Sequence, residues 1–300
     1  MDSEPSPSKS VNAAKPVLVA DPAALDELVR AIEREPTVAL DTESNSFHVY
    51  RERICLLQIS TRMRDYVVDP LAVDVRPLGQ VLVQGRELVL HGADYDVRCM
   101  KREWGWTLPR LFDTMTAARR LGIPTLGLSG LVQARFGVRL SKEYQRSNWG
   151  HRPLDDQQLR YAALDTHYLL TLYDQLSAEL SAAGQLDAAR KEFDRIAAVK
   201  PRPKVFDQEG WRRLKGCREL DARGQALLRA LWLAREARAS ELDRPPFKVL
   251  GEDAMMLIAR RGPRTTEELG QIAGVTQNVL RRAGDAILGA LAQAAEPDKR

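Results

Sequence analysis

The chain has 300 residues, 44% hydrophobic and 29% charged, enough for one large or two smaller globular domains with a real core. Its three cysteines, Cys55, Cys99 and Cys217, form no CxxC pair and no zinc spacing, which argues against a disulfide framework and for a reducing compartment. The net charge of +4 is uneven: residues 201–300 hold 19 Lys and Arg against 14 Asp and Glu, so the last third carries the whole basic excess, as a polyanionic partner would favour. No run approaches the ~18 consecutive apolar residues of a membrane helix, and MDSEPSPSKSVNAAK has no apolar signal core. A cytoplasmic protein is expected, without a membrane partner, and no protein partner is evident.

In chain order, residues 1–14 read as a disordered lead-in. PVLVAD (16–21) is an expected strand, and Asp21-Pro22 opens a helix. TVALDTE (37–43), RICLLQIST (53–61) and DYVVDP (65–70) read as three strands in a meander. A helix follows at 76–84, then a strand RELVLHG (86–92) and a helix ending at Gly105. Asp113 is placed to cap the helix of LFDTMTAARRLG. Helical patterns then run to about residue 196, broken by a polar loop at 141–153. Strands interleaved with helices predict an α/β domain with a mixed sheet over 15–200. Residues 201–210 read as a linker, 211–293 as an all-helical domain, and 294–300 as a tail.

Three clusters of acids emerge from this apolar framework. Asp41 and Glu43 end a strand at i and i+2, so they share a face and would repel unless something positive lies between them. Asp94 and Asp96 open the helix after the strand LVL, with Asp94 at the expected N-cap and Asp96 in the first turn, at the same sheet edge. Asp165 lies within the helical text LRYAALDTHYLL on a face that otherwise reads as buried, one turn from Tyr161. Each pair alone fits a solvated strand end or a helix-dipole effect. Four converging acids are the donor set of two hard divalent cations, which can stabilise the attacking and leaving oxygens of a phosphoryl displacement. The neighbouring phenol could orient, and help deprotonate, the attacking water.

These clusters resemble the three motifs of the DEDDy 3′–5′ exonucleases: Asp41-Thr42-Glu43, HGADYD with Asp96, and Tyr161-x3-Asp165. ALDTESNSFHVYRERICLLQIS, LFDTMTAARRLG and LSKEYQRSNWGHRPL are similar to ribonuclease D segments, so the likeness spans about residues 15–200. The resemblance implies a ribonuclease-H-like fold and two-metal (Mg or Mn) hydrolysis that releases nucleoside 5′-monophosphates from an RNA 3′ end. It implies that Asp41, Glu43 and Asp165 hold one metal, that Asp41 and Asp96 hold the other, and that Tyr161 holds the water. It places Thr42 and Ser44 near the terminal nucleotide and Lys142, Gln145 and Arg152 at phosphates. Trp149 reads as a packing residue. The family usually has Asp where Asn148 stands, a departure that touches no metal motif.

WLAREARASELDRPPFKVLGEDAMMLIARRGPRTTEELGQIAG, within 211–293, resembles an HRDC domain, a small helical module that implies help in binding nucleic acid. The resulting expectation is an RNase D-type exoribonuclease acting on structured RNA 3′ ends such as tRNA precursors. Two alternatives are a 3′–5′ DNA exonuclease in repair, since the same site can cut either sugar, and a catalytically silent RNA-binding protein.

Overall fold

A computed structural model describes residues 15–201 and 205–295; the expected lead-in over 1–14, part of the linker and most of the tail lie outside the described residues. The chain divides into two compact units. One comprises residues 15–45 and 53–201, the other residues 46–52 and 205–295.

The first unit is built on a sheet of order β1-β4-β3-β2-β5-β6. Its strands are β1 (Val17–Val19), β2 (Thr37–Ser44), β3 (Ile54–Ser60), β4 (Asp65–Val68), β5 (Glu87–Leu90) and β6 (Leu111–Asp113). β3 runs antiparallel to both its neighbours, while β1 pairs parallel with β4, β2 with β5, and β5 with β6. The sheet is therefore mixed, as expected. β3 is central and covered on both faces, which explains why all seven residues of ICLLQIS are buried rather than every second one. The three-residue β6 was not foreseen: LFD is too short to show a period, and it becomes a strand by pairing with the far longer-range β5.

Helices α1 (Pro22–Glu33), α2 (Arg76–Leu82), α3 (Asp94–Trp104), α4 (Thr114–Arg120), α5 (Leu128–Phe136), α6 (Asp156–His167), α7 (Leu169–Ala182) and α8 (Leu186–Ala197) complete this unit. α1 starts where the sequence places it: the Asp21 carboxylate accepts from Ala24 N (3.0 Å), with Pro22 in the first turn. Leu25, Leu28 and Ile32 form its buried stripe, and full burial of a side chain such as Leu28 contributes roughly 2 kcal/mol.

The second unit is helical: α9 (Ala222–Glu241), α10 (Pro246–Val249), α11 (Glu252–Arg261), α12 (Thr266–Gly270) and α13 (Gln277–Ala295), after two 3₁₀ turns at Gly210–Arg213 and Cys217–Glu219. Leu228, Leu231, Met255, Ile258, Leu269 and Ile287 are central to its core. Residues 46–52 belong to this unit through Tyr50, whose N–H donates to Asp243 (3.1 Å) and whose hydroxyl donates to Glu236 (2.5 Å). No described helix is long and apolar enough to cross a membrane. The three cysteines are free and buried.

Candidate active site

The register of the sheet creates the site. β2 pairs with β5 only as far as Ala39–Val89, but with β3 as far as Ser44–Ile54. Asp41 and Glu43 therefore lie beyond the point where β5 stops pairing and the chain turns into α3. β2 and β5 run parallel, so Asp41, Glu43 and the first turn of α3 meet at one sheet edge, where ligand sites of such sheets collect.

His91-Gly92-Ala93 makes the turn into α3. Gly92 has φ +70°, a left-handed backbone that a side chain disfavours. The buried Asp113 carboxylate holds this turn by accepting from Gly92 N (3.2 Å) and Ala93 N (2.8 Å), and it caps α4 by accepting from Thr116 N (2.9 Å). The cap foreseen at Asp113 thus has a second task across the sheet edge. Asp94 is not an N-cap. Ala93 takes that position, and Asp94 pairs with Arg98 one turn on (2.7 Å). Asp96 is buried and accepts from the Thr42 hydroxyl.

α6 brings the third cluster. Asp155 and Gln158 form a capping box at its start. Its small residues Ala162 and Ala163 lie against Leu56 and Val67 of the sheet, which lets the helix approach closely. Tyr161 and Asp165 stand on the flank of this contact. Trp149, 1% exposed, stacks against the Tyr161 ring (centroids 6.0 Å apart), so it is a packing residue as expected.

The electrostatics of the four acids are those of uncompensated neighbours. Burial, then Asp96, Asp165 and Glu43, push the Asp41 carboxyl well above its ordinary value. Burial, then Asp165 and Asp96, push Glu43 up to about 9. Burial, with Asp96 adding to it, raises Asp165 to about 7. Asp96 rises only to about 6, because the Thr42 hydrogen bond works against its desolvation. Tyr161 is pushed up by burial and by Asp165, Glu43 and Asp41, so its phenol keeps its proton at neutral pH.

A cavity of about 730 Å³ opens over this edge, lined by Asp41, Thr42, Glu43, Tyr161 and Asp165, with Lys142 and Gln145 on the loop before α6. Two of the expected substrate contacts lie elsewhere. Ser44 does not line the cavity; its hydroxyl is hydrogen-bonded to that of Tyr95 (3.0 Å). Arg152 does not line it either. All five of its N–H donors are taken, by Asp69 Oδ2 (2.6 Å) and Oδ1 (2.8 Å) and the carbonyls of Trp149 (2.6 Å), His151 (2.8 Å) and Cys55 (3.0 Å). A guanidinium so committed has no donor left for a phosphate, and it fastens the loop to β3 and to the residue after β4. Thr42 reaches the cavity, but its hydroxyl proton goes to Asp96.

The opposite wall was not foreseen. It comprises His91, Met115, Thr125 and the start of α5, Gly127 to Gly130, where no side chain caps the helix. A Cβ at Gly130 would lie 1.9 Å from the Thr125 methyl, so a larger residue would force the Thr125 side chain to move. The glycines of IPTLGLSG were the available signal, but nothing local tied them to the acids. His91 is fixed on this wall through Thr114, which donates to Leu90 O (3.1 Å) and is hydrogen-bonded to His91 Nδ1 (2.9 Å), and burial holds the imidazole pKa down.

Four carboxylates with no Cys or His among them are hard oxygen donors, and their mutual repulsion is what divalent cations relieve. Among the described residues, no three such side chains are already closed around one point. Mg²⁺-type ions complete their shell with water and substrate phosphates, so these carboxylates need not close on one another in the chain alone.

Comparison with known proteins bears on the family and the domains. Residues 16–181 match the model of a 3′–5′ exonuclease family and residues 224–291 that of the HRDC domain. The chain is 30% identical over 268 residues to ribonuclease D of Sphingobium indicum, covering 86% of this chain and 68% of that protein. It is 32% identical over 293 residues to ribonuclease D of Gluconacetobacter diazotrophicus (94% and 73%), and 29% identical over 297 residues to the exosome complex exonuclease RRP6 of Saccharomyces cerevisiae (92% and 40%). The crystal structure of the catalytic core of RRP6 from Trypanosoma brucei superposes with a TM-score of 0.85 at 27% identity, covering 95% of this chain and 81% of that one. That of Escherichia coli RNase D, an exoribonuclease involved in structured RNA processing, gives 0.72 at 29% identity, with 95% and 76% covered.

Proposed function

The chain belongs to the ribonuclease D family of 3′–5′ exonucleases, and from that membership we propose how its site removes nucleotides from RNA. It is a hydrolytic 3′–5′ exoribonuclease with an HRDC domain after the catalytic one. The observation that carries the mechanism is the cluster of acids at one sheet edge: Asp41, Glu43 and Asp165 line one cavity, each pushed upward by burial and by neighbouring acids, and the buried Asp96 is tied to the lining residue Thr42.

Asp41, Glu43 and Asp165 would hold one divalent ion, and Asp41 with Asp96 a second, Mg²⁺ or Mn²⁺. When bound, these ions supply charge stabilisation at the attacking and leaving oxygens. Tyr161 orients the attacking water by hydrogen bonding. Its ring is held for this by Trp149. Thr42 keeps Asp96 in place and favours its ionised form. Lys142 and Gln145, with the uncapped start of α5 across the cavity, are suited to phosphate oxygens of the terminal nucleotides. Water attacks the last phosphodiester and gives up a proton to solvent, the bond from phosphorus to the 3′ oxygen breaks, and that oxygen takes a proton from solvent. The products are a nucleoside 5′-monophosphate and a chain one nucleotide shorter with a 3′-hydroxyl.

The physiological substrate proposed is the 3′ end of structured RNA, tRNA precursors included, in the cytoplasm. The basic excess of residues 201–300 supports an RNA-binding role for the helical unit. The test is a time course on a 5′-labelled RNA with a 3′ overhang and on its DNA counterpart, with Mg²⁺, with Mn²⁺ and with chelator, beside Asp165→Ala. A metal-dependent ladder that shortens from the 3′ end, faster on RNA and absent in the variant, supports the proposal. A ladder favouring DNA supports a repair exonuclease. Tight RNA binding with no ladder marks a silent binding protein.

A further inference from the structure

Gln58, in β3, is 0% exposed, yet neither its amide nitrogen nor its amide oxygen has a hydrogen-bond partner among the described residues. Buried amides are nearly always satisfied, because an unpaired donor or acceptor keeps the desolvation cost and gains nothing. A Leu or Met of similar volume would fill the slot without that cost. Gln58 is the cross-strand partner of Asp41. Directly opposed residues of an antiparallel pair share a face, with Cβ atoms about 4.5–5.5 Å apart. Val67 opposes Gln58 from β4, and the row of Asp41, Gln58 and Val67 lies under α6, where Ala162 and Ala163 contribute only methyl groups. In that row Asp41 is the one polar neighbour.

We propose that Gln58 is a positioning residue of the cation site, whose side-chain NH₂ donates to the Asp41 carboxylate when divalent cations draw the four acids together. This rests on the exonuclease reading above. A carboxylate oxygen has two lone pairs, so one can face a cation while the other accepts from an amide. A neutral donor orients Asp41 without competing for the site as a Lys or Arg would. Gln58 needs only a side-chain rotation to present its nitrogen, since its terminal torsion is broad. Such outer partners of metal-ligating carboxylates set affinity by orienting the ligand.

The experiment titrates Mn²⁺ calorimetrically into the chelator-stripped full chain, for wild type, Gln58→Leu, Gln58→Met and Asp165→Ala. Melting in chelator is followed in parallel. Gln58→Leu is expected to melt at or above the wild-type temperature, since it removes an unsatisfied amide, and to bind Mn²⁺ about ten-fold more weakly. Gln58→Met should behave alike, and it decides the matter should the Leu variant fail to fold. Mn²⁺ binding by both variants within about two-fold of wild type, while Asp165→Ala loses it, overturns this inference alone and leaves the exonuclease reading intact. A wild-type chain that takes up no Mn²⁺ overturns the cation site and this inference with it.

Discussion

Two sets of acids in the first unit are treated in opposite ways. Asp65, Asp69 and Glu87, all under 10% exposed, each have a basic partner from the chain. Asp65 holds His167 Nδ1 (2.7 Å), Asp69 takes Arg152 in two hydrogen bonds, and Glu87 pairs with Arg190 and lies 3.6 Å from Arg110. Asp41, Glu43 and Asp165 line the cavity and Asp96 is buried against Thr42, and among the described residues none of the four forms an ion pair with Lys, Arg or His. A buried charge without a partner is strongly destabilising, which is why the first set is paired. On the proposed mechanism, the second set keeps that cost for cations and the substrate chain to offset.

The largest expected effect comes from deleting a member of the unpaired set. Asp41→Asn should lower single-turnover cleavage about 10³-fold or more, the scale of several kcal/mol of lost charge stabilisation, while filter binding shows RNA affinity retained. The same variant should melt higher than wild type in chelator, because it removes a charge that its neighbours oppose. Deleting from the paired set should do the reverse. Arg152→Ala leaves Asp69 buried without its partner and should cost about 3 kcal/mol in urea denaturation. Unchanged stability with lost cleavage would return Arg152 to the substrate.

Both sets contribute to the pH dependence of stability, and a variant separates them. The folded-state pKa values of Glu43, Asp165 and Asp96 are raised, to about 9, 7 and 6. Between its ordinary value and its raised one, each group binds more protons folded than unfolded. Stability in chelator should therefore fall as pH rises from about 4 to 9, by at most about 1.4 kcal/mol per pH unit for each group. His167 adds a fall of its own. Its pKa is raised by the Asp65 hydrogen bond, so its contribution is full below the ordinary histidine value and fades as pH rises through the raised one. Subtracting the melting profile of Asp165→Asn from that of wild type isolates the site's share, and a flat difference would contradict the account. The smallest effect is expected at Thr42→Val, which removes the hydrogen bond holding Asp96 down. The apparent pKa of the acidic limb of the cleavage profile should shift upward, on the scale of about 1 kcal/mol.

The sequence made legible whatever was local. Asp41 and Glu43 are two residues apart on a strand, Tyr161 and Asp165 four apart on a helix, and Asp96 follows an apolar strand at a helix start. These spacings carry both the periodicity and the chemistry. Features set by distant pairing were not legible. The strand at Leu111–Asp113 exists because of β5. Arg152 looks like any loop arginine until the fold brings Asp69, 83 residues away, to it. The Thr42–Asp96 bond spans 54 residues, and the wall at Gly127–Gly130 meets the acids only in three dimensions. Asp94 was read one position early because acids suit both an N-cap and the first turn, and only the backbone tells them apart.

The most direct test counts bound Mn²⁺ by electron paramagnetic resonance at pH 8, in wild type and in Asp41→Asn. The unpaired acids are predicted to take up two Mn²⁺ per wild-type chain, the scale set by two-metal sites, and to lose them when Asp41 is replaced. Undiminished Mn²⁺ binding in the Asp41→Asn variant would contradict the account.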